Sequence, residues 1–263
     1  MKKLITALAL LLLFTSNSCE EEVNACNCKD YHEKEISYPT PLIEFHVTYT
    51  GIGLAKFLDS YMEFGSKSFR EKIRLHKNWN DEYMYSPSIG YAEAADTSEI
   101  TQSLQSFAEE NNLDSTNIQF IWSKKEIKFI DNDTTYHTLY ALKPNTKSEI
   151  SITNKDLSSA RKTISPYDGN IFVIISFDEK GVEKLHKYST KNVGNFITIS
   201  SHNKVLSAPQ ISAPISGGET LITGKFTSEE ADSLSDWINC DAYARRIGQD
   251  AFEKELADCI KKD

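Results

Sequence analysis

The residues of this 263-residue chain best equipped for chemistry are five cysteines and six histidines. Cys19, Cys26 and Cys28 lie near the start, Cys240 and Cys259 near the end. Cys26, Cys28 and His32 offer thiolate and imidazole to a metal, but a second cysteine pair or a histidine-rich partner is missing, so no metal is expected. Cys19 set apart, four cysteines remain, an even number that an oxidising compartment turns into bridges. Two bridges stapling the N-terminal pair to the C-terminal helix fit that layout; Cys26–Cys28 with Cys240–Cys259 is the other arrangement, with a strained Cys-x-Cys link. His32, His46, His76, His137, His186 and His202 show neither an i, i+4 nor a His-x-His spacing. Ser207 precedes Ala208-Pro209 with no base in prospect, and there is no Gly-x-Ser-x-Gly, His-Glu-x-x-His or phosphate loop. Gly51-Ile52-Gly53 lacks the third glycine of a dinucleotide loop and reads as a turn. Asp131-Asn132-Asp133 lacks the Gly and Glu that a calcium loop needs downstream, and reads as the turn of a hairpin. No catalytic residue, metal or cofactor is assigned, and the chain is not read as an enzyme.

The start of the chain reads as an address. Lys2 and Lys3 precede an apolar run of 11 residues, Leu4 to Phe14, too short to span a bilayer core of about 30 Å as a permanent helix. Thr15-Ser16-Asn17-Ser18 and then Cys19 resemble a bacterial lipobox, although a strict one has an aliphatic residue where Ser16 stands. Residues 1–18 are read as a lipoprotein signal peptide and Cys19 as the lipidation site, against an ordinary cleaved signal or an uncleaved anchor. Residues 19–41 read as a tether, acidic at Glu20-Glu21-Glu22 and closed by Pro39-Thr40-Pro41. The acidic triplet is either a solvated leash or a surface-export signal. No other apolar run reaches 18 residues, so membrane contact is expected through the N-terminal lipid only. A net charge of −9 argues against nucleic acid, whose binders carry a basic face, and against adhesion to anionic lipid. With 40% apolar residues the chain can bury a core.

The elements that must carry these residues alternate in period. Ile43, Phe45, Val47 and Tyr49 alternate with polar residues, as in a half-buried strand. Leu54, Phe57, Leu58, Tyr61 and Met62 recur at helical spacing, and Phe69 with Ile73 predicts a second helix. Asp96 and Glu99 form a capping-box pattern for a helix through Ile100, Leu104 and Phe107. Strands follow at Ile118–Trp122, Ile127–Ile130 and Tyr136–Leu142. Thr153 with Asp156 predicts a helix lined by Leu157, Ala160 and Ile164. Ile171–Phe177 is a strand, Asp178 caps a helix through Leu185 and Tyr188, and a hairpin turns over His202-Asn203. Leu221–Thr223 is a short strand, Thr227 with Glu230 opens a helix through Trp237, and Asp241–Lys261 is amphipathic. Strands interleaved with helices and hairpins give an α+β fold. The divisions expected are an N-terminal α+β base region at 42–150, a head at 151–239 and a C-terminal amphipathic helix at 240–263.

The third block carries a series of short motifs in a fixed order. They are Phe177-Asp178-Glu179-Lys180-Gly181, Thr190-Lys191-Asn192-Val193-Gly194, Val205-Leu206-Ser207-Ala208-Pro209, Ile215-Ser216-Gly217-Gly218 and Ile222-Thr223-Gly224-Lys225-Phe226-Thr227. Together they resemble the head of the first periplasmic domain of SecD, a subunit of the protein-export translocase. Upstream, Ser88-Ile89-Gly90-Tyr91, Ala95-Asp96-Thr97, Phe120-Ile121-Trp122 and Leu139-Tyr140-Ala141-Leu142-Lys143 resemble the region before the head in the fused SecDF form. The resemblance covers about Ser86 to Trp237. One departure is His202-Asn203, where the family has Asp-Gly; Asn tolerates positive φ, so the turn survives.

The resemblance implies a mixed or antiparallel sheet packed by helices, and a role in export. Residue by residue the motifs are turns, caps and strand ends, which specify a fold more than an activity. The family couples proton movement to export through membrane helices that this sequence does not show after its signal. The chain therefore resembles the external head hung on a lipid in the cell envelope of a Gram-negative-type bacterium, on the periplasmic or outer-membrane side. The partners implied are translocated polypeptide or Sec translocase subunits; the other reading is an envelope interaction lipoprotein that reuses the fold without an export role. The polypeptide-binding candidates are Pro209, Ile211, Ile215, Gly217 and Gly218, in an apolar, small-residue loop joining two strands. The structural alternative for Ile211 and Ile215 is that both fill the core between sheet and helices.

Overall fold

The computed structural model describes residues 23–29, 42–111, 118–129, 133–143 and 150–261. The segment read as a signal peptide, Cys19, Glu20–Glu22, His32, Pro39-Thr40-Pro41 and Asp131-Asn132 lie outside the described residues.

A 3-10 turn at Ala25–Cys28 opens the description, capped by Asn24 Oδ1, which accepts from Cys26 N. Strand β1 is Glu44–Val47, and helix α1, Ala55–Phe64, buries Phe57, Leu58 and Tyr61 as their spacing predicts. Where Phe69 and Ile73 predicted a second helix there is one turn, α2 (Lys67–Arg70), after which β2 (Arg74–Leu75) leads towards β3 (Ser88–Glu93). Helix α3 spans Thr97–Glu110. Its expected capping box does not form, because Asp96 and Glu99 both turn to Lys72 Nζ, at 2.7 and 3.3 Å. Strand β4, Gln119–Lys128, joins two runs that the sequence separates, and pairs antiparallel with β5, Thr135–Leu142.

Strand β6 (Ile152–Thr153) precedes a 3-10 turn at Asn154–Asp156 that carries the predicted Thr153–Asp156 capping box. The helix expected next is instead strand β7, Leu157–Ile164. A bulge between Leu157 and Ser159 shifts the alternation, so Leu157 and Ala160 both face inward at a spacing of three that mimics a helix. Strand β8 is Ile171–Phe177 and helix α4, capped by Asp178, is Glu179–Lys191. Strands β9 (Ile197–Ser201) and β10 (Lys204–Ser207) flank His202 and Asn203, both at positive φ, the geometry of a two-residue hairpin turn. Strand β11 is Glu219–Ile222. Helix α5, opened by the Thr227–Glu230 box, runs unbroken through Ser228–Ile247 and ends at Gly248 (φ 88°), beyond which α6 is Gln249–Ile260. The sequence breaks the pair earlier because polar Ser235 and Asp241 sit on the buried stripe of α5 and disguise its continuity.

Among the described residues the strands form two sheets. The larger is mixed and runs β2-β3-β5-β4-β10-β9-β1-β6, with β10 parallel to β4; the smaller is β11-β8-β7. A bridge between Thr48 and Leu142, flanked by Tyr49 N→Ala141 O and Lys143 N→Val47 O, ties β1 back to β5. The run β5-β4-β10-β9-β1 therefore closes into a ring. Strand register puts Ile121, Leu142, Val205, Thr48 and Thr198 on one shared face, the inside. The other face carries two larger cores. One, the base core, packs α1 and α3 over Ile89, Phe120 and Leu139. The other, the head core, gathers β1, β9, the small sheet, α4, α5 and α6 around Phe45, Val173, Ile175, Leu234 and Phe252. The fold is α+β, as expected from the sequence.

Candidate functional site

The loop from Pro209 to Gly218 is held by backbone bonds at both ends. Ile197 N donates to Pro209 O at 2.9 Å, Ile211 N to Asn195 O at 3.0 Å and Gly194 N to Ile211 O at 2.7 Å. Further along, Ile215 N donates to Ser189 Oγ at 2.8 Å and Phe177 N to Gly218 O at 2.9 Å. Ile211 is 8% exposed and belongs to the head core, and Ile215 packs against that core half-buried. Ile211 therefore lies in the core and Ile215 at its edge. Pro209 and Gly217 are exposed, and Gly218 is half-buried at φ 72°, its α-carbon facing Val182.

What the loop presents outward is its rim: Pro209, Gln210, Ser212, Ala213, Pro214, Ser216 and Gly217. That rim continues onto residues the sequence analysis did not single out. Tyr85, in the segment between β2 and β3, donates from its hydroxyl to Gly194 O at 2.8 Å, and Gln210 Nε2 donates to the same oxygen at 2.9 Å. The Tyr85 ring lies 5.4 Å from that of Phe196 yet remains 58% exposed. Met84, Ile52 and Val193 are exposed as well, and Gly51 stacks on the Met84 backbone. The segment between β2 and β3 thus meets the loop through the two bonds to Gly194 O, with Tyr85 lying over Phe196. The aromatic and sulfur side chains of Tyr83, Met84 and Tyr85 inside an otherwise polar stretch were the signal for it, but with no periodicity they fit no element.

The other singled-out residues have structural surroundings. Ser207 Oγ pairs with Thr223 Oγ1 at 2.9 Å. His46 is buried with Glu44 Oε2 3.7 Å away, and His186 is exposed on α4. His76 Nδ1 meets Ser88 Oγ at 2.9 Å, and burial holds its pKa below the ordinary imidazole value, partly offset by the Ser88 backbone. Among the described residues no group of three His, Cys, Asp or Glu side chains converges as metal ligands, and no helix is long and apolar enough to cross a membrane.

The cysteines pair across the chain, Cys26 with Cys259 and Cys28 with Cys240, at Cα separations of 5.4 and 5.6 Å. Of the two arrangements open to the sequence, this is the one that staples the ends. Ala25 and Cys28 are buried in the head core, so part of the segment read as a tether is docked against α5 and α6.

Comparison with known proteins finds similarity to SecD and SecDF. Residues 132–243 match the family model of the SecDF P1 head subdomain. The protein translocase subunit SecD of Thermobaculum terrenum is 29% identical over 117 residues, 40% of this chain and 22% of that protein. SecD of Acidaminococcus fermentans is 38% identical over 84 residues, 32% of this chain and 20% of that protein. The matched region spans about a fifth of these relatives. A solved structure of SecDF, described as a membrane component that enhances protein export, aligns over 80% of this chain and 66% of its own with 19% identity and a TM-score of 0.40. The chain therefore carries a SecD-like head region, similar within residues 132–243 to the SecDF P1 head subdomain.

Proposed function

We propose that this protein is a non-enzymatic cell-envelope lipoprotein that binds translocated polypeptide or Sec translocase subunits as an accessory to export. It is anchored by a lipid on Cys19, on the periplasmic or outer-membrane side, and binds no nucleic acid. The observation that carries the reading is the head match over 132–243, which includes the whole Pro209–Gly218 loop. The braced rim around that loop supports it physically. Exposed apolar side chains such as Met84 and Tyr85 are the kind of feature that interaction sites use, and a surface already braced loses little further entropy when a partner settles on it. The binding role falls to the exposed rim, with Pro209 and Gly217, and to half-buried Gly218 beside it, while Ile211 and Ile215 hold the loop's shape from below.

A photo-crosslinking residue at Met84, and in a second strain at Ala213, tests this in cells. Capture of translocase subunits, or of many unrelated secreted chains, supports the export role. A single outer-envelope partner, or internal crosslinks alone, rejects it. The same residue at Ile211 serves as the buried control and is expected to give internal crosslinks. The acidic Glu20–Glu22 run favours a second reading, in which the fold is reused for an outer-envelope interaction with no part in export.

A further inference from the structure

We propose that the paired disulfides make the far half of α5, together with α6, the membrane-facing pole of the molecule. This rests on the lipid-anchor reading and adds an orientation to it. Between Cys19 and Cys26 lie seven residue steps, which reach at most about 25 Å fully extended. Without the staples the anchor would be counted to Leu42 at the head of β1, 23 steps and at most about 80 Å away. The bridges Cys26–Cys259 and Cys28–Cys240 therefore cut the reach to about a third, and fix where on the fold it is measured from.

That point is at the end of the two C-terminal helices. Cys259 lies in the last turn of α6 and Cys240 in the second half of α5. The base region meets α5 at its first turn, where Lys125 Nζ lies 3.0 Å from Glu230 Oε2. Cys240 is ten residues further on, about 15 Å along the helix axis. Helix α3 packs on the outside of β4, across the strand ring from β1 and β9. The stapled ends of α5 and α6 are thus held within that reach of the lipid. The exposed face of α6 carries Asp250, Glu253, Glu255 and Asp258 against Lys254 and Lys261, an acidic excess that anionic lipid does not attract. The tether, rather than adhesion, sets the approach.

The test uses the full lipidated chain in phosphatidylethanolamine–phosphatidylglycerol vesicles that bear an energy acceptor on the headgroup. A donor dye is attached through an azide-bearing residue at Ala257 on α6 or at Gln102 on α3, both exposed, leaving every cysteine in place. Energy transfer is expected to be higher from Ala257 than from Gln102. Inserting ~20 flexible Gly/Ser residues between Glu22 and Val23, with both bridges intact, is expected to lower transfer at Ala257 and to shrink the difference. Equal or reversed transfer in the parent chain, or no change on insertion, overturns the assigned pole. Flotation with vesicles reads the anchor separately: if Cys19→Ala floats as well as the parent, the lipid reading itself fails and the pole falls with it.

Discussion

At Gly181 a Cβ would sit 2.2 Å from the carbonyl oxygen of Asp156, which already accepts from Asp178 N at 3.0 Å. The first turn of α4 thus lies directly on the 3-10 turn before β7, which explains a glycine in that motif in terms of packing. Gly181→Ala is expected to cost about 1–3 kcal/mol, as overpacking typically does, read as a lowered urea midpoint. Gly169→Ala is the comparison. Nothing lies within 4 Å there, so only its φ of 69° opposes the side chain, and the smaller loss is expected. His76 makes a residue-scale prediction about pH. Burial depresses its folded pKa, so below about 6.5 the unfolded chain takes up more protons than the folded one. Stability is full above that value and declines as pH falls through it towards the lower folded pKa. His76→Gln is expected to flatten the decline, measured as unfolding midpoint against pH.

At the scale of elements, the small sheet ends where a helix imitates a strand. Asn239 on α5 donates through Nδ2 to Ala160 O at 3.0 Å and accepts at Oδ1 from Ala160 N at 2.7 Å, as a neighbouring strand would. Asn239→Ala leaves that edge unpaired and is expected to cost about 1–3 kcal/mol, seen in thermal unfolding. An exposed edge also invites pairing with another chain, so concentration-dependent association of the variant is the second readout. The staples act on the same helices. Replacing Cys28 and Cys240 by alanine removes a bridge whose two half-cystines are buried, and is expected to cost about 2–5 kcal/mol under non-reducing denaturation. Removing Cys26–Cys259 frees only the last helix, so it is expected to cost less; equal costs would show that α6 supports more of the head than its packing on Phe252 and Leu256 accounts for.

For the whole molecule, the two cores hang on one ring of strands. Neighbouring strands of that ring face different cores: Phe120 and Leu139 point to the base, Phe45 and Ile199 to the head. A cavity in one core therefore loosens strands that the other needs. Leu104→Ala, fully buried in the base core, is expected to cost about 2–5 kcal/mol. Unfolding is expected to remain one transition, with far-ultraviolet circular dichroism and the fluorescence of Trp122 and Trp237 moving together. Separated transitions would show that the base region unfolds by itself.

Local chemistry determined much of this protein in advance. Periodicity marked α1 and α3, a β-branched run marked β8, side-chain oxygens at Asp178 and Thr227 announced two helix starts, and His202-Asn203 announced a hairpin; each depends on neighbours a few residues away. The motif order announced the head in the same way, because turns and caps are written in short segments. Tertiary structure decided what depends on distant partners. A bulge paired to β8 turned Leu157–Ile164 into a strand, and Lys72 drew Asp96 away from its cap. The choice between two cysteine pairings needed the packed position of α5 and α6, and the exposed rim needed Tyr85 brought to Gly194 across 109 residues. Long-range contacts select among local options that are nearly equal in energy, so the sequence listed the options and packing chose between them.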